Sequence, residues 1–105
     1  MIIRVIAARR SLELDEPRNF KAFSVRIEGP ISPAEQTELL GRIAVTSSAE
    51  HAWVSEKALR GWPPLSDEAW WQEGLSNMIK AAERFGWVDP VNRSIRAHIE
   101  YVSGT

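Results

Sequence analysis

The clearest regularity along the chain is alternation of apolar and polar positions. Residues 2–8 are rich in β-branched and aliphatic side chains, and residues 20–28 set Phe23, Val25 and Ile27 against Ala22, Ser24, Arg26 and Glu28. A period of two puts such sets on opposite faces of a strand, so both stretches are predicted strands. Residues 11–19 between them are polar, contain Pro17 and exceed a tight turn, which predicts a loose antiparallel connection with an exposed loop. A final strand is predicted over residues 94–102, where Ile95, Ala97, Ile99 and Tyr101 alternate with Ser94, Arg96, His98 and Glu100.

Elsewhere the spacing is helical. Gly29-Pro30 ends the second strand, and Ser32-Pro33-Ala34-Glu35 then supplies a cap serine, a proline at the first helical position and a glutamate three residues after the cap. With Leu39, Leu40, Ile43 and Ala44 as the apolar stripe, this predicts a helix over residues 33–44. A longer helix is predicted to start at Ser66-Asp67-Glu68, to carry Trp71, Leu75, Met78, Ile79, Ala82 and Phe85 at helical spacing, and to end at Gly86 in a left-handed conformation. Residues 48–60 are open: Ser47-Ser48-Ala49-Glu50 resembles a second capping box, yet His51-Ala52-Trp53-Val54-Ser55 reads equally as a short strand. Gly61-Trp62-Pro63-Pro64 forces an extended break after it.

The order β-β-α-(α or β)-α-β predicts one α+β domain over residues 1–105. Its sheet is expected to be small, three- or four-stranded and antiparallel or mixed, with two or three helices packed on one face. The other face is left wet or covered by a partner.

Composition narrows the chemistry. A chain of 105 residues with 44% apolar and 26% charged residues has room for one core and the balance of a globular domain. Without cysteine there is no disulfide, thiolate metal site or cysteine nucleophile. The apolar start is broken by Arg4 and stopped by Arg9, too short for a membrane span and wrongly charged for a secretion signal, so a cytoplasmic protein is expected. A net charge of −1 gives no general attraction to nucleic acid or to an acidic membrane, and neither is expected as a partner. The acids concentrate in the middle of the chain, where residues 30–90 carry nine against five Lys and Arg.

Three features bear on function. Arg96, His98 and Glu100 share one face of the last strand, a cation, an imidazole and a carboxylate in a row, which are the ingredients of acid–base work on an anionic substrate. Ser24, Arg26 and Glu28 have the same polar sense on the second strand, so pairing of the two would also give a plain ladder of solvated ion pairs. His51 is the only other histidine; a metal site would have to unite it with His98 across the fold, and no local spacing supports one. Five tryptophans, Trp53, Trp62, Trp70, Trp71 and Trp87, fall within residues 53–87. Trp71 belongs to the buried stripe, Trp70 lies about 100° away on the wheel, and at least one indole is expected to stay partly exposed. Exposed indoles are enriched at binding surfaces, so the contact surface is placed on Trp53, Trp62, Trp70 and Trp87 together with Arg26 of the open sheet face.

No nucleophile elbow, phosphate loop or dinucleotide fingerprint occurs. The expected function is a small binding or interaction module, homodimeric or bound to another protein, with a small anionic ligand as a further partner and no cofactor or metal. The alternative is a small dimeric enzyme performing cofactor-free acid–base chemistry on a small anionic or aromatic substrate, with Arg96 holding the anion, His98 moving the proton and Glu100 orienting the imidazole. An inhibitor or immunity-type protein binding through its acidic helices is the third expectation.

Overall fold

A computed structural model describes residues 1–102. Strand β1 (Ile2–Ile6) leads through one tight turn, reversed at Arg10 with φ 48°, into β2 (Ser11–Asp15), which pairs antiparallel with it. The chain then crosses to the other side of β1, where β3 (Ser24–Glu28) runs parallel to it. Helix α1 (Pro33–Leu40) follows, capped by Ser32, whose Oγ accepts the Glu35 N–H at 3.1 Å. A hairpin of β4 (Ala44–Ser47) and β5 (His51–Ser55) comes next, then α2 (Glu56–Arg60), α3 (Ala69–Glu83), the two-residue strand β6 (Val88–Asp89) and β7 (Ser94–Val102).

Across the sheet the order is β2-β1-β3-β7-β5-β4, with β6 also paired to β7. The first two strands expected from the pattern are therefore parallel neighbours, not a hairpin, and the sheet is a curled, seven-stranded mixed one, not a small three- or four-stranded one. Three local features account for all of this but the two-residue β6. Leu12 and Leu14 face the core while Glu13 and Asp15 lie on the opposite face beside Arg4, so the supposed loop is an edge strand whose charges suit its position. Helix α1 stops at Leu40, and the β-branched Val45 and Thr46 belong to β4. The open segment 48–60 is both things in turn: β5, and then α2 capped by the Ser55 hydroxyl on the Ala58 N–H.

Strands β1, β3, β5 and β7 each turn apolar residues to one common face. Ile3, Val5, Val25, Ile27, Val54, Ala97 and Ile99 form a single core with Leu39 and Leu40 of α1, Leu59 of α2, and Trp71, Leu75 and Ile79 of α3. Helices α2 and α3 are fastened by Arg60, which donates to Gln72, to Ser76 and, at 2.8 Å, to Glu56. Helix α3 starts at the Glu68 cap rather than at Ser66, because residues 65–67 make a separate turn hung on the Trp62 carbonyl. It ends as expected: Gly86 takes φ 72° and the Trp87 N–H reaches back to the Ala82 carbonyl at 3.1 Å.

On the opposite sheet face, Glu13, Arg4, Arg26 and Glu100 stand in register across four strands. Arg4 grips Glu28 with two hydrogen bonds, at 2.6 and 2.9 Å, and this holds the Glu28 carboxyl below its ordinary pKa. Since the folded value is depressed, the stability from this pair is present above the ordinary carboxyl range and is lost as pH falls through the folded value. Among the described residues no helix is long and apolar enough to cross a membrane.

Candidate functional site

Strand β7 has two partners on one edge. β3 pairs with it at residues 98–102 and β6 at residues 94–95, while β5 occupies the other edge. Residues 96 and 97 thus lie between the two partners, and at this break in the sheet a pocket of about 540 Å³ opens. It is reached from both faces of β7: Ile95 lines it from the core side, and Arg96 and His98 from the polar side.

Each wall is positioned by local chemistry. Residues 19–23 are tied to the start of β1, because the Met1 amine donates to the Asn19 carbonyl at 2.8 Å and to the Ala22 carbonyl at 2.9 Å. Burial pushes the pKa of that amine down. This tether sets Phe20, Lys21 and Phe23 along one side of the pocket. Phe20 also fits against the bare backbone of Gly74 in α3, and its ring meets those of Trp70 and Trp71 at 6.4 and 5.8 Å. Asn77, Met78, Ala81 and Phe85 of α3 and its last turn make the next wall. The left-handed Gly86 turns the chain so that Trp87 stacks on Phe85, with centroids 4.6 Å apart and planes at 22°. The Trp87 carbonyl accepts the Arg96 N–H at 2.8 Å, which fixes the indole beside β7. Beyond it, the Asp89 carboxylate takes the backbone N–H groups of Asn92 and Val91, which hold its carboxyl below the ordinary range and close the turn into β7.

The polar end is built by strand register. His51 of β5 stands directly opposite His98 of β7, and their rings lie 5.9 Å apart at 67°. Neither ring is hydrogen-bonded to protein among the described residues. Arg96 places its guanidinium carbon 5.5 Å from the centre of the Trp87 ring. A bound molecule would meet apolar and aromatic walls at one end. At the other it would meet a guanidinium and two imidazoles that can give or take a proton.

The residues expected from the sequence separate here. Arg96, His98 and Trp87 come together in the pocket. Glu100 does not line it; it stands two residues along the same face, opposite Arg26, with no hydrogen bond to His98 among the described residues. Trp53 is opposite Arg96 on β5 but outside the lining, and Arg26 sits in the charged ladder between Arg4 and Glu100. Trp70 lies under the Arg18 guanidinium, 4.0 Å away, beside a separate shallow hollow. Trp62 packs against the core, partly buried. His51, Phe20, Lys21 and Phe23 were not foreseen as one site, and nothing near them in sequence marks them as one. Among the described residues no group of three or more His, Cys, Asp or Glu is gathered as a metal would need.

No protein family, curated protein or solved structure was found to match the chain.

Proposed function

We propose that the protein binds a small organic molecule with an aromatic or branched apolar body in the pocket at the β3/β6 break. What carries this reading is the pocket itself: a volume of about 540 Å³ walled mainly by Phe20, Phe23, Met78, Phe85, Trp87 and Ile95. Ligand sites are typically concavities of about 300–1,000 Å³, mostly apolar with a few convergent polar groups. Screening a library of aromatic fragments by amide and indole NMR is expected to shift the Trp87 indole and the backbone signals of residues 20–23 and 95–98 together. If hits scatter over the surface, or no fragment moves that set, the reading fails.

Self-association is a second reading, and it rests on a different observation. Phe85 and Trp87, stacked on one another at the pocket, are 66% and 39% exposed, apolar surface that a second copy or another protein would cover. Light scattering behind size-exclusion chromatography is then expected to give twice the chain mass at both low and high salt, and a shift to the monomer on Phe85→Ser. A monomer of the unsubstituted chain at both salt concentrations would leave the patch to the ligand alone.

A further inference from the structure

We infer that the pocket's ligand is an organic acid whose anionic head is seated among Arg96, His51 and His98, and that its binding takes up a proton; this rests on the pocket being a ligand site. The charge of the lining points one way. The ionisable groups around the pocket are Lys21, His51, Arg96 and His98, with no carboxylate among the described lining residues, although acids outnumber Lys and Arg in the chain as a whole. Of the acids on the neighbouring sheet face, Glu28 holds Arg4, and Glu100 stands opposite Arg26 outside the lining. Arg96 has no acidic partner among the described residues and rests beside an indole instead. A guanidinium is a planar fork that matches a carboxylate or phosphate with two parallel hydrogen bonds, so Arg96 is free for that use.

The histidine pair adds the proton. Two imidazoles directly opposed across antiparallel strands repel one another when both are charged, and Lys21 and Arg96 increase that penalty. Other elements add little relief. Residue Ser24 of β3 faces His98 and is neutral, Arg26 of β3 is a further cation, Asn77 of α3 is neutral, and the carboxylates of Glu100, two residues along β7, and of Glu50, whose backbone carbonyl accepts the Ile99 N–H, stand outside the lining. An anion seated beside both rings reverses the balance and favours imidazolium. The sign follows from linkage: affinity is highest where the bound imidazoles are charged and falls as pH rises through the imidazole range.

The test compares 2-naphthoate with its neutral isostere 2-naphthalenemethanol by calorimetry, at about pH 6 and about pH 8, to span the imidazole range. The acid is expected to bind at least about tenfold tighter than the alcohol at the lower pH, as charge-assisted hydrogen bonds require. That preference should shrink at the higher pH, and proton uptake should appear as a buffer-dependent heat. Arg96→Ala should bring the acid down to the level of the alcohol, Arg96→Lys should restore part of the difference, and the double change His51→Gln with His98→Gln should flatten the pH dependence. Naphthyl phosphate in place of the carboxylate tells which head the seat prefers, and tighter binding of either acid than the alcohol supports the inference. Equal binding of acid and alcohol overturns the anion seat while leaving the pocket a ligand site; a pH-independent preference overturns the proton uptake; no binding by any probe overturns both the inference and the reading beneath it.

Discussion

Trp71→Ala is expected to cost about 3–5 kcal/mol, the range found when a large aromatic side chain is deleted from a core. The indole is fully buried, and its Nε1–H donates to the Leu59 carbonyl at 2.9 Å. It therefore joins α2 to α3 as well as filling the space between α3 and the sheet. Domains of this size have about 5–15 kcal/mol of stability in all, so the loss would leave a chain that is marginal at physiological temperature. Urea unfolding checks this, with the slope unchanged if the folded state stays compact. Trp71→Phe separates packing from hydrogen bonding. It keeps most of the ring, and the Leu59 carbonyl still accepts the Trp62 N–H at 3.2 Å, so a cost of only about 1–2 kcal/mol is expected. A Trp71→Ala cost below about 1 kcal/mol would mean that the core is not organised around this indole.

What the sequence announced and what it concealed differ in range. The Ser32 cap with Pro33 and Glu35, the left-handed Gly86, and the alternation of residues 95–100 are each written within a few neighbouring residues and each appears in the structure, whereas Ser94 is buried and Tyr101 exposed against the pattern. Strand β2 was hidden because an edge strand needs only two inward residues, Leu12 and Leu14, and its charged partners look like a loop. The parallel pairing of β1 with β3 was hidden for a related reason: once β2 is read as a loop, the two stronger strands become sequence neighbours, and neighbours are expected to form a hairpin.

The site was less legible than the fold. Arg96 and His98 were visible as one face of β7, but their company was set by register between distant strands. His51 meets His98 because β5 pairs with β7 in that frame, and a slip of one residue would have turned His51 to the opposite face. Phe20 and Phe23 looked like members of a strand, whereas the hydrogen bonds of the Met1 amine hold that stretch as a wall. Of the tryptophans, only Trp87 reached the pocket, placed there by the C-terminal cap of α3 and by its carbonyl bond to Arg96. Aromatic count alone does not tell which indole a fold will leave open, since that is decided by what packs over each one.

Gly74→Ala is expected to destabilise the protein, with a sign opposite to the usual one. In a helix interior, alanine in place of glycine is worth about 1 kcal/mol in favour of the helix. Here a Cβ at position 74 would run into three ring carbons of Phe20, closer than van der Waals contact allows. With Trp70 and Trp71 packed on its other sides, the ring is pushed off its seat on α3 and toward the pocket, with an overpacking cost of about 1–3 kcal/mol. The net loss of up to about 2 kcal/mol would lower the melting temperature by several degrees, at about 4–8 °C per kcal/mol for a domain of this size. The displaced ring also carries residues 20–23 with it, so the pocket should lose affinity for the aromatic probes beyond what the change in stability explains. Gly74→Ala combined with Phe20→Ala removes the collision, and it should return the helix-propensity gain without restoring the pocket wall. Melting curves of the two variants, with naphthoate binding measured on each, decide the matter. A rise in melting temperature for Gly74→Ala alone would show that Phe20 does not rest on α3, and the wall it forms would have to be redrawn.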